Sequence, residues 1–195
     1  MIDLSKYQIF HSHMCTLKET SLDTKDDGTK IYMVESTRQA VNFDDVKDEY
    51  IKDLKINEVP KSNDAIIEDG KGGIIFIEFK NGYMDKAKQF AVRKKIYDSL
   101  LIFTDIVSAG IQEMRLYAEY ILVYNEKVNA GNPDVIREQK RHVQPSVSFD
   151  YIAKEIGRYA KDEYVCFGIN IFENYCFRKV HTYTEQEFEK YVQNL

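Results

Sequence analysis

A short apolar run that ends in two charged residues constrains the fold of this chain more than any other segment. Residues 74–80 read Ile-Ile-Phe-Ile-Glu-Phe-Lys, and Asn81-Gly82 stops the run. β-Branched and aromatic residues favour strands, so we predict a strand here. Residues 64–68 predict a second short strand, and the glycine-rich stretch 68–73 predicts the turn that joins the two.

This hairpin would bring charged side chains together on one face of a sheet. Residues two apart in a strand point to the same face, so Glu78 and Lys80 share one. If the turn is centred near Lys71, antiparallel pairing places Asp64 opposite Glu78, because each lies seven positions from that centre. The sequence therefore predicts two carboxylates and one amine at the same edge of the sheet.

Such a grouping is typical of metal-assisted hydrolysis. Two close carboxylates repel each other, and a divalent cation relieves the repulsion. Hard cations such as Mg²⁺ prefer oxygen ligands and keep several waters. A neighbouring lysine can orient or deprotonate a water, or stabilise a pentavalent phosphate. The reaction that this chemistry matches best is hydrolysis of a phosphodiester.

The arrangement of Asp64, a hairpin and Glu78-Phe79-Lys80 resembles the PD-(D/E)xK superfamily, which includes many restriction enzymes, repair nucleases and defence nucleases. The resemblance covers roughly residues 43–103 and includes the long helical segment after the Glu-Phe-Lys strand. Asn63 stands where the motif has Pro, a position that varies within the superfamily. The Glu-x-Lys pattern alone is common; the resemblance rests on its position on an apolar strand, with an Asp at the right distance on another strand.

The resemblance implies a catalytic set and a cofactor. Asp64, Glu78 and Lys80 would be the catalytic residues. Asp64, Glu78 and the carbonyl of Phe79 would bind Mg²⁺ or Mn²⁺, and Lys80 would assist the chemistry. An acid on the preceding helix often completes such sites.

Three acids are candidates for that helix position. Glu49 is the first choice as the additional metal ligand. Asp45 lies four residues earlier on the same helical face and is the second choice. Glu35 is the third.

The helix predicted for residues 85–108, after the Glu-Phe-Lys strand, is basic, as expected of an element that contacts phosphates. Its basic residues are Lys86, Lys88, Arg93, Lys94 and Lys95. Its Gln89 resembles the helix glutamine of some branches of the superfamily. We expect four of its residues to contact nucleic acid: Lys86, Lys88, Gln89 and Arg93.

The implied function is a nuclease that acts on DNA in preference to RNA, in a setting of bacterial or phage defence. The alternative is a catalytically inert nuclease-fold binding module, such as an inhibitor, immunity or assembly protein. The net charge of −5 supports this alternative, because an acidic surface suits a basic protein partner. A homodimer is compatible with either function.

The order of predicted elements indicates the fold class. Helices mixed with strands predict an α/β, restriction-endonuclease-like, three-layer domain with a central mixed β-sheet flanked by helices, plus an N-terminal β-hairpin. The length of 195 residues suits a single domain.

The predicted domain divides into four parts. Residues 1–35 form the N-terminal hairpin extension, with strands at 7–17 and 30–35. Residues 36–124 form the core with the motif, and its first helix starts at a capping box at Ser36. Residues 125–148 form a long loop with a short helix at 134–141. Residues 149–195 form a helix–strand–helix unit, with a helix at 149–161, strands at 165–172 and 180–184 and a last helix from Thr184.

Cysteine usage and hydropathy predict the compartment. The three cysteines form no Cys-x-x-Cys pair, which suggests a reducing environment. The N-terminus lacks a signal-peptide pattern, and no apolar run approaches the roughly 20 residues of a membrane span. We therefore expect a cytoplasmic protein that does not associate with membranes.

Overall fold

A computed structural model describes residues 2–24, 27–142 and 164–195 of the chain. In chain order, its strands are Met14–Thr16 (β1), Leu22–Thr24 (β2), Lys30–Tyr32 (β3), Gln39–Asn42 (β4), Ala65–Glu68 (β5), Ile74–Lys80 (β6), Ala118–Tyr124 (β7) and Lys179–Thr184 (β8). Its α-helices are Gln8–Ser12 (α1), Leu17–Thr20 (α2), Phe43–Ile51 (α3), Lys86–Val107 (α4), Ile111–Tyr117 (α5), Glu126–Asn129 (α6), Pro133–His142 (α7) and Glu185–Gln193 (α8). Short 3₁₀ turns span Leu4–Lys6 and Asn170–Phe172.

A six-stranded sheet in the order β1-β4-β5-β6-β7-β8 forms the centre of the domain. The pairs from β1 to β6 are antiparallel, and β6, β7 and β8 run parallel. Helices α1, α3 and α4 cover one face, and α2 and α8 cover the other. The predicted α/β class with a central mixed sheet flanked by helices is therefore confirmed.

Strand β6 lies inside this sheet and is covered on both faces, which explains its continuous apolar sequence. Ile74 and Phe76 face the core under α4. Ile75, Ile77 and Phe79 face the core under α8. Since side chains alternate along a strand, Glu78 points to the α4 face, directly beyond Phe76.

Helix α4 is the longest helix of the described residues, and its bounds agree with the helix predicted for 85–108. Asp85 caps it, because its side chain accepts from the backbone N–H of Lys88. Val92, Ile96 and Phe103 lie on its buried stripe and pack on the sheet. The helix thus runs across the face of the sheet to which Glu78 points.

The N-terminal region differs from the sequence-based prediction. Residues 7–17 are not one strand, because α1 occupies part of them and Phe10 stacks on Phe103 with ring centroids 5.5 Å apart. A hairpin does exist, but β2 and β3 form it, and it is separate from the main sheet. A segment whose apolar residues alternate only loosely can form a short helix as readily as a strand.

The predicted start of the first core helix is also wrong. Ser36 does not cap a helix, because Gln39–Asn42 instead forms β4 between β1 and β5. The helix begins at Phe43, where the side chain of Asn42 accepts from the backbone of Asp44 and Asp45. Only the later part of the predicted helix is therefore confirmed.

The C-terminal third confirms some predictions and corrects others. A short helix within the predicted loop is confirmed by α7, but α6 also interrupts that loop. The strand predicted at 165–172 is wrong, because Phe167 and Gly168 have φ values of 60° and 64°, which extended backbone does not allow. The strand β8 and the helix α8, with its capping box at Thr184, are confirmed. The helix predicted at 149–161 and the loop residues 143–148 lie outside the described residues.

Within the part of the chain that the structure describes, none of the helices combines the length and the apolar character needed to cross a lipid bilayer.

Candidate functional site

The hairpin formed by β5 and β6 has the register that the sequence predicts. Ala65 pairs with Ile77, and the backbone N–H of Asp64 donates to the carbonyl of Ile77 at 3.1 Å. Asp64 directly precedes β5, and Glu78 follows Ile77 in β6. The two carboxylates therefore lie side by side where β5 begins and β6 ends.

Lys95 of α4 bridges these two carboxylates. Its Nζ donates to Asp64 Oδ1 at 3.0 Å and lies 2.7 Å from Glu78 Oε1. The side chain of Glu78 is fully buried, and those of Asp64 and Lys95 are 17% and 19% exposed. One ammonium thus holds together the two acids that the sequence singles out.

Sequence reasoning placed Lys95 only in the basic stretch of the helix and missed this contact. Lys95 lies three residues after Val92 and four before Ser99, and both of these are fully buried. A lysine on the buried stripe of an amphipathic helix is a signal that could have indicated an internal ion pair.

Lys80 also contacts Glu78, at the same Oε1 atom that Lys95 approaches. The side chain of Lys80 is mostly buried and lines a cleft beside the hairpin. Glu78 therefore lies between two ammonium groups, one from its own strand and one from α4.

The backbone of β6 contributes to the same place. The N–H of Phe79 donates to Asp64 Oδ2 at 2.6 Å. The carbonyl of Ile77 points toward β5, since it accepts from Asp64. Backbone groups of a strand alternate in direction, so the carbonyl of Phe79 points to the same side as that of Ile77. This carbonyl is the one that the resemblance implies as a metal ligand.

Several buried polar atoms at the site have no hydrogen-bond partner among the described residues. They include Glu78 Oε2, the hydroxyl of Tyr120 and the side-chain amide of Asn63. Buried polar groups are normally paired, so each unpaired one asks for an explanation such as an ion or a water. Glu78 Oε2 is thus a spare acceptor in the middle of the site.

Burial controls the protonation of the site. Desolvation, reinforced by repulsion from Asp64, raises the pKa of Glu78 to about 7, although Lys80 and Lys95 oppose the shift. Burial lowers the pKa of Lys95, but attraction to Glu78 and Asp64 more than offsets it, so that this pKa is raised overall. Burial and the same two carboxylates also raise the pKa of Tyr120 well above its usual value.

A cleft of about 440 Å³ opens beside the hairpin. Asp44, Asp64, Lys80 and Lys88 line one part of it, and residues 20–23, which run into β2, line the other with Met33, which follows β3. Asn81 Nδ2 donates to Asp23 Oδ2 of β2 at 2.8 Å. Asp64 and Lys80 therefore expose a small part of their side chains to the cleft, whereas Glu78 is fully buried.

The helix acid that reaches this cleft is Asp44, which the sequence reasoning did not consider. Asp44 is in the first turn of α3, and the backbone N–H of Phe43 donates to the carbonyl of Asp64 at 3.2 Å. Ser62 Oγ donates to Asp44 Oδ1. The start of α3 is thus tied to the start of β5, which places Asp44 near Asp64.

The three acids predicted for this position have other partners and do not line the cleft. Glu49 Oε2 lies 2.6 Å from His13 Nε2. Asp45 accepts from Asn42 Nδ2 at 2.6 Å, within the cap of α3. Glu35 accepts from Lys18 Nζ at 2.5 Å.

The four residues predicted to contact nucleic acid lie in the first turns of α4 but differ in their contacts. Lys86 and Lys88 are exposed, and Lys88 also lines the cleft. Gln89 Nε2 donates to the carbonyl of Met84 at 3.2 Å, and Arg93 Nη2 donates to the carbonyl of Gly168 at 3.0 Å. The two lysines are therefore better placed for phosphate than Gln89 and Arg93.

Across residues 2–24, 27–142 and 164–195, no group of three or more His, Cys, Asp or Glu side chains is arranged so that it could hold a metal ion. A smaller ligand set is still compatible with Mg²⁺, which commonly takes one or two carboxylates and keeps several waters. Asp64, Glu78 and the Phe79 carbonyl form such a set.

Comparison with known proteins finds no match to the chain among family models, curated proteins or solved structures.

The raised pKa of Glu78 predicts how stability depends on pH. Between pH 4.5 and about 7 the unfolded chain releases the Glu78 proton while the folded protein retains it, because the folded pKa is about 7. Rising pH therefore favours unfolding of the wild type relative to Glu78→Gln, by at most about 1.4 kcal/mol per pH unit. Urea unfolding of both proteins across this range, followed by circular dichroism, measures the difference. A difference that stays flat or grows in favour of the wild type would contradict the assigned pKa.

Proposed function

We propose that this chain is a Mg²⁺- or Mn²⁺-dependent nuclease of the PD-(D/E)xK type, with a restriction-endonuclease-like domain. The observation that carries the proposal is the convergence of Asp64 and Glu78 on one point. Oδ1 of Asp64 and Oε1 of Glu78 lie 3.0 Å and 2.7 Å from the same Lys95 Nζ. Two carboxylates that can share one ammonium can also share one metal ion, if the ammonium leaves.

The donor set suits a hard divalent cation. Asp64 and Glu78 supply carboxylate oxygens, and the carbonyl of Phe79 points to the same edge. Glu78 Oε2, which has no hydrogen-bond partner among the described residues, is a further donor. Asp44 on the cleft wall is the acid from the preceding helix. When bound, the ion would supply an activated water and neutralise charge on a phosphate.

The remaining residues of the cleft would bind and orient the substrate. Lys80 lines the cleft beside Asp64, where its ammonium can orient a water or stabilise negative charge on the phosphate. Lys88 lines the same cleft, and Lys86 is exposed on the same turn of α4. These lysines provide local positive charge in a chain whose net charge is −5. The substrate that we propose is DNA, acted on in the cytoplasm.

The contacts of Lys95 favour a second candidate function, that of a binding module without metal. In the described arrangement, Lys95 neutralises the two acids without any metal. A nuclease-fold domain with such an internal ion pair can serve as a binding module that acts through protein contacts. Calorimetric titration separates the two functions, because a binding module would show no Mn²⁺ binding at millimolar concentration.

Lys80→Ala tests the nuclease directly. We expect the wild type to cleave at least one of plasmid DNA, single-stranded DNA and RNA in the presence of Mn²⁺. The variant should be slower by about 100-fold or more, as for loss of a group that assists proton transfer. Lys94→Ala is the matched control, since Lys94 is on the exposed side of α4 and pairs with Asp98 and Glu58. Equal behaviour of wild type and Lys80→Ala on every substrate would exclude catalysis at this site.

A second test identifies the helix acid. Asp44→Asn should weaken Mn²⁺ binding by about tenfold, because Asp44 lies in the cleft beside the proposed ligands. Glu49→Gln should leave the affinity unchanged, because Glu49 contacts His13 instead. Isothermal titration calorimetry of the two variants gives both values. If Glu49→Gln is the variant that loses affinity, the acid predicted from the sequence is the correct one and Asp44 is not.

A further inference from the structure

We propose that Lys95 is an internal counter-cation that holds Asp64 and Glu78 together in the metal-free protein. A divalent cation then binds only when the Lys95 ammonium leaves the space between the two carboxylates. The inference rests on the metal site of the proposed function and adds a residue that regulates its occupancy.

The position of the ammonium supports this role. Lys95 Nζ is within 3.0 Å of Asp64 Oδ1 and 2.7 Å of Glu78 Oε1, so it occupies the point on which both acids converge. A metal ion bound by the same two oxygens would lie in that region. The ammonium and the ion therefore compete for one place.

The two acids need a cation because of where they are. Glu78 is fully buried and Asp64 is largely buried, and isolated buried carboxylates are strongly unfavourable. Lys80 reaches Glu78, but the only ion pair of Asp64 within the described part of the chain is with Lys95. Without a metal, Lys95 is thus the group that compensates both carboxylates at once.

The charges of the cluster explain why both cations are not expected together. When Glu78 is ionised, the two carboxylates, Lys80 and Lys95 balance to neutrality in the described arrangement. A divalent ion added to that set would leave an excess of positive charge in a region of low dielectric, where repulsion is strong. Lys95 can move away, because a lysine ammonium is carried on a flexible stem of four carbons.

The test compares Mn²⁺ binding by the wild type, Lys95→Met and Lys94→Met in the full chain. Lys95→Met removes the competing ammonium and keeps most of the length of the stem, so its Mn²⁺ affinity should rise by about tenfold or more, because the site no longer has to be vacated first. Its melting temperature without metal should fall below that of the wild type, and Mn²⁺ should restore it. Lys94→Met removes a neighbouring, more exposed ammonium and should bind Mn²⁺ as the wild type does.

Two results would overturn the proposal. One is a Lys95→Met protein that binds Mn²⁺ no more tightly than Lys94→Met. The other is a Lys95→Met protein whose melting temperature responds to Mn²⁺ no more than that of the wild type. If Lys95→Met does not fold without metal, it is refolded with Mn²⁺ beside Lys95→Gln. Recovery of either variant by Mn²⁺ supports the proposal, and failure of both shows that Lys95 is only structural.

These outcomes are separate from those of the nuclease assay. Tighter Mn²⁺ binding by Lys95→Met in a protein that cleaves no substrate supports the role of Lys95 and contradicts the nuclease. Metal-dependent cleavage by the wild type, with unchanged affinity in Lys95→Met, supports the nuclease and contradicts the role of Lys95. Calorimetry and cleavage therefore test the two proposals independently.

Discussion

The burial of Glu78 is the constraint on which the rest of the site depends. Its carboxylate has no exposed surface and lies on a central strand, between the sheet and α4. A buried charge is tolerated only with close partners, and here Lys80 and Lys95 provide them. Lys95 also contacts Asp64, so the same ammonium fixes the position of α4 relative to both strands of the hairpin.

The elements that the sequence predicted well are those whose signals are local and redundant. Strand β6 combines β-branched residues, an apolar run and a stop at Asn81-Gly82, and the centre of its turn set the register with β5. The elements that were predicted wrongly lack this agreement between several local signals. Residues 7–17 alternate only loosely, and the apolar run at 165–172 contains backbone with positive φ that its composition does not reveal. The pairing of β4 with β1 and β5 likewise depends on distant strands.

In the candidate site, too, the features with local sequence signals could be predicted and those that depend on distant parts of the chain could not. Asp64, Glu78 and Lys80 could be predicted because one hairpin carries all three. Lys95 could not be assigned in this way, since its role depends on how α4 crosses the sheet. The sequence analysis chose Glu49, with Asp45 and Glu35 as alternatives, and did not consider Asp44, but the start of α3 is the end that is bonded to Asp64. Positions on one element can be predicted from periodicity, whereas contacts between elements require the tertiary arrangement.

The direct measurement of the central claim is a crystal structure of the wild type grown with Mn²⁺, with anomalous scattering used to locate the ion. The account predicts one Mn²⁺ peak between Asp64 and Glu78, at about 2.1 Å from an oxygen of each, with the Lys95 ammonium turned away. A structure at saturating Mn²⁺ in which Lys95 still bridges the two carboxylates, with no peak between them, would contradict it.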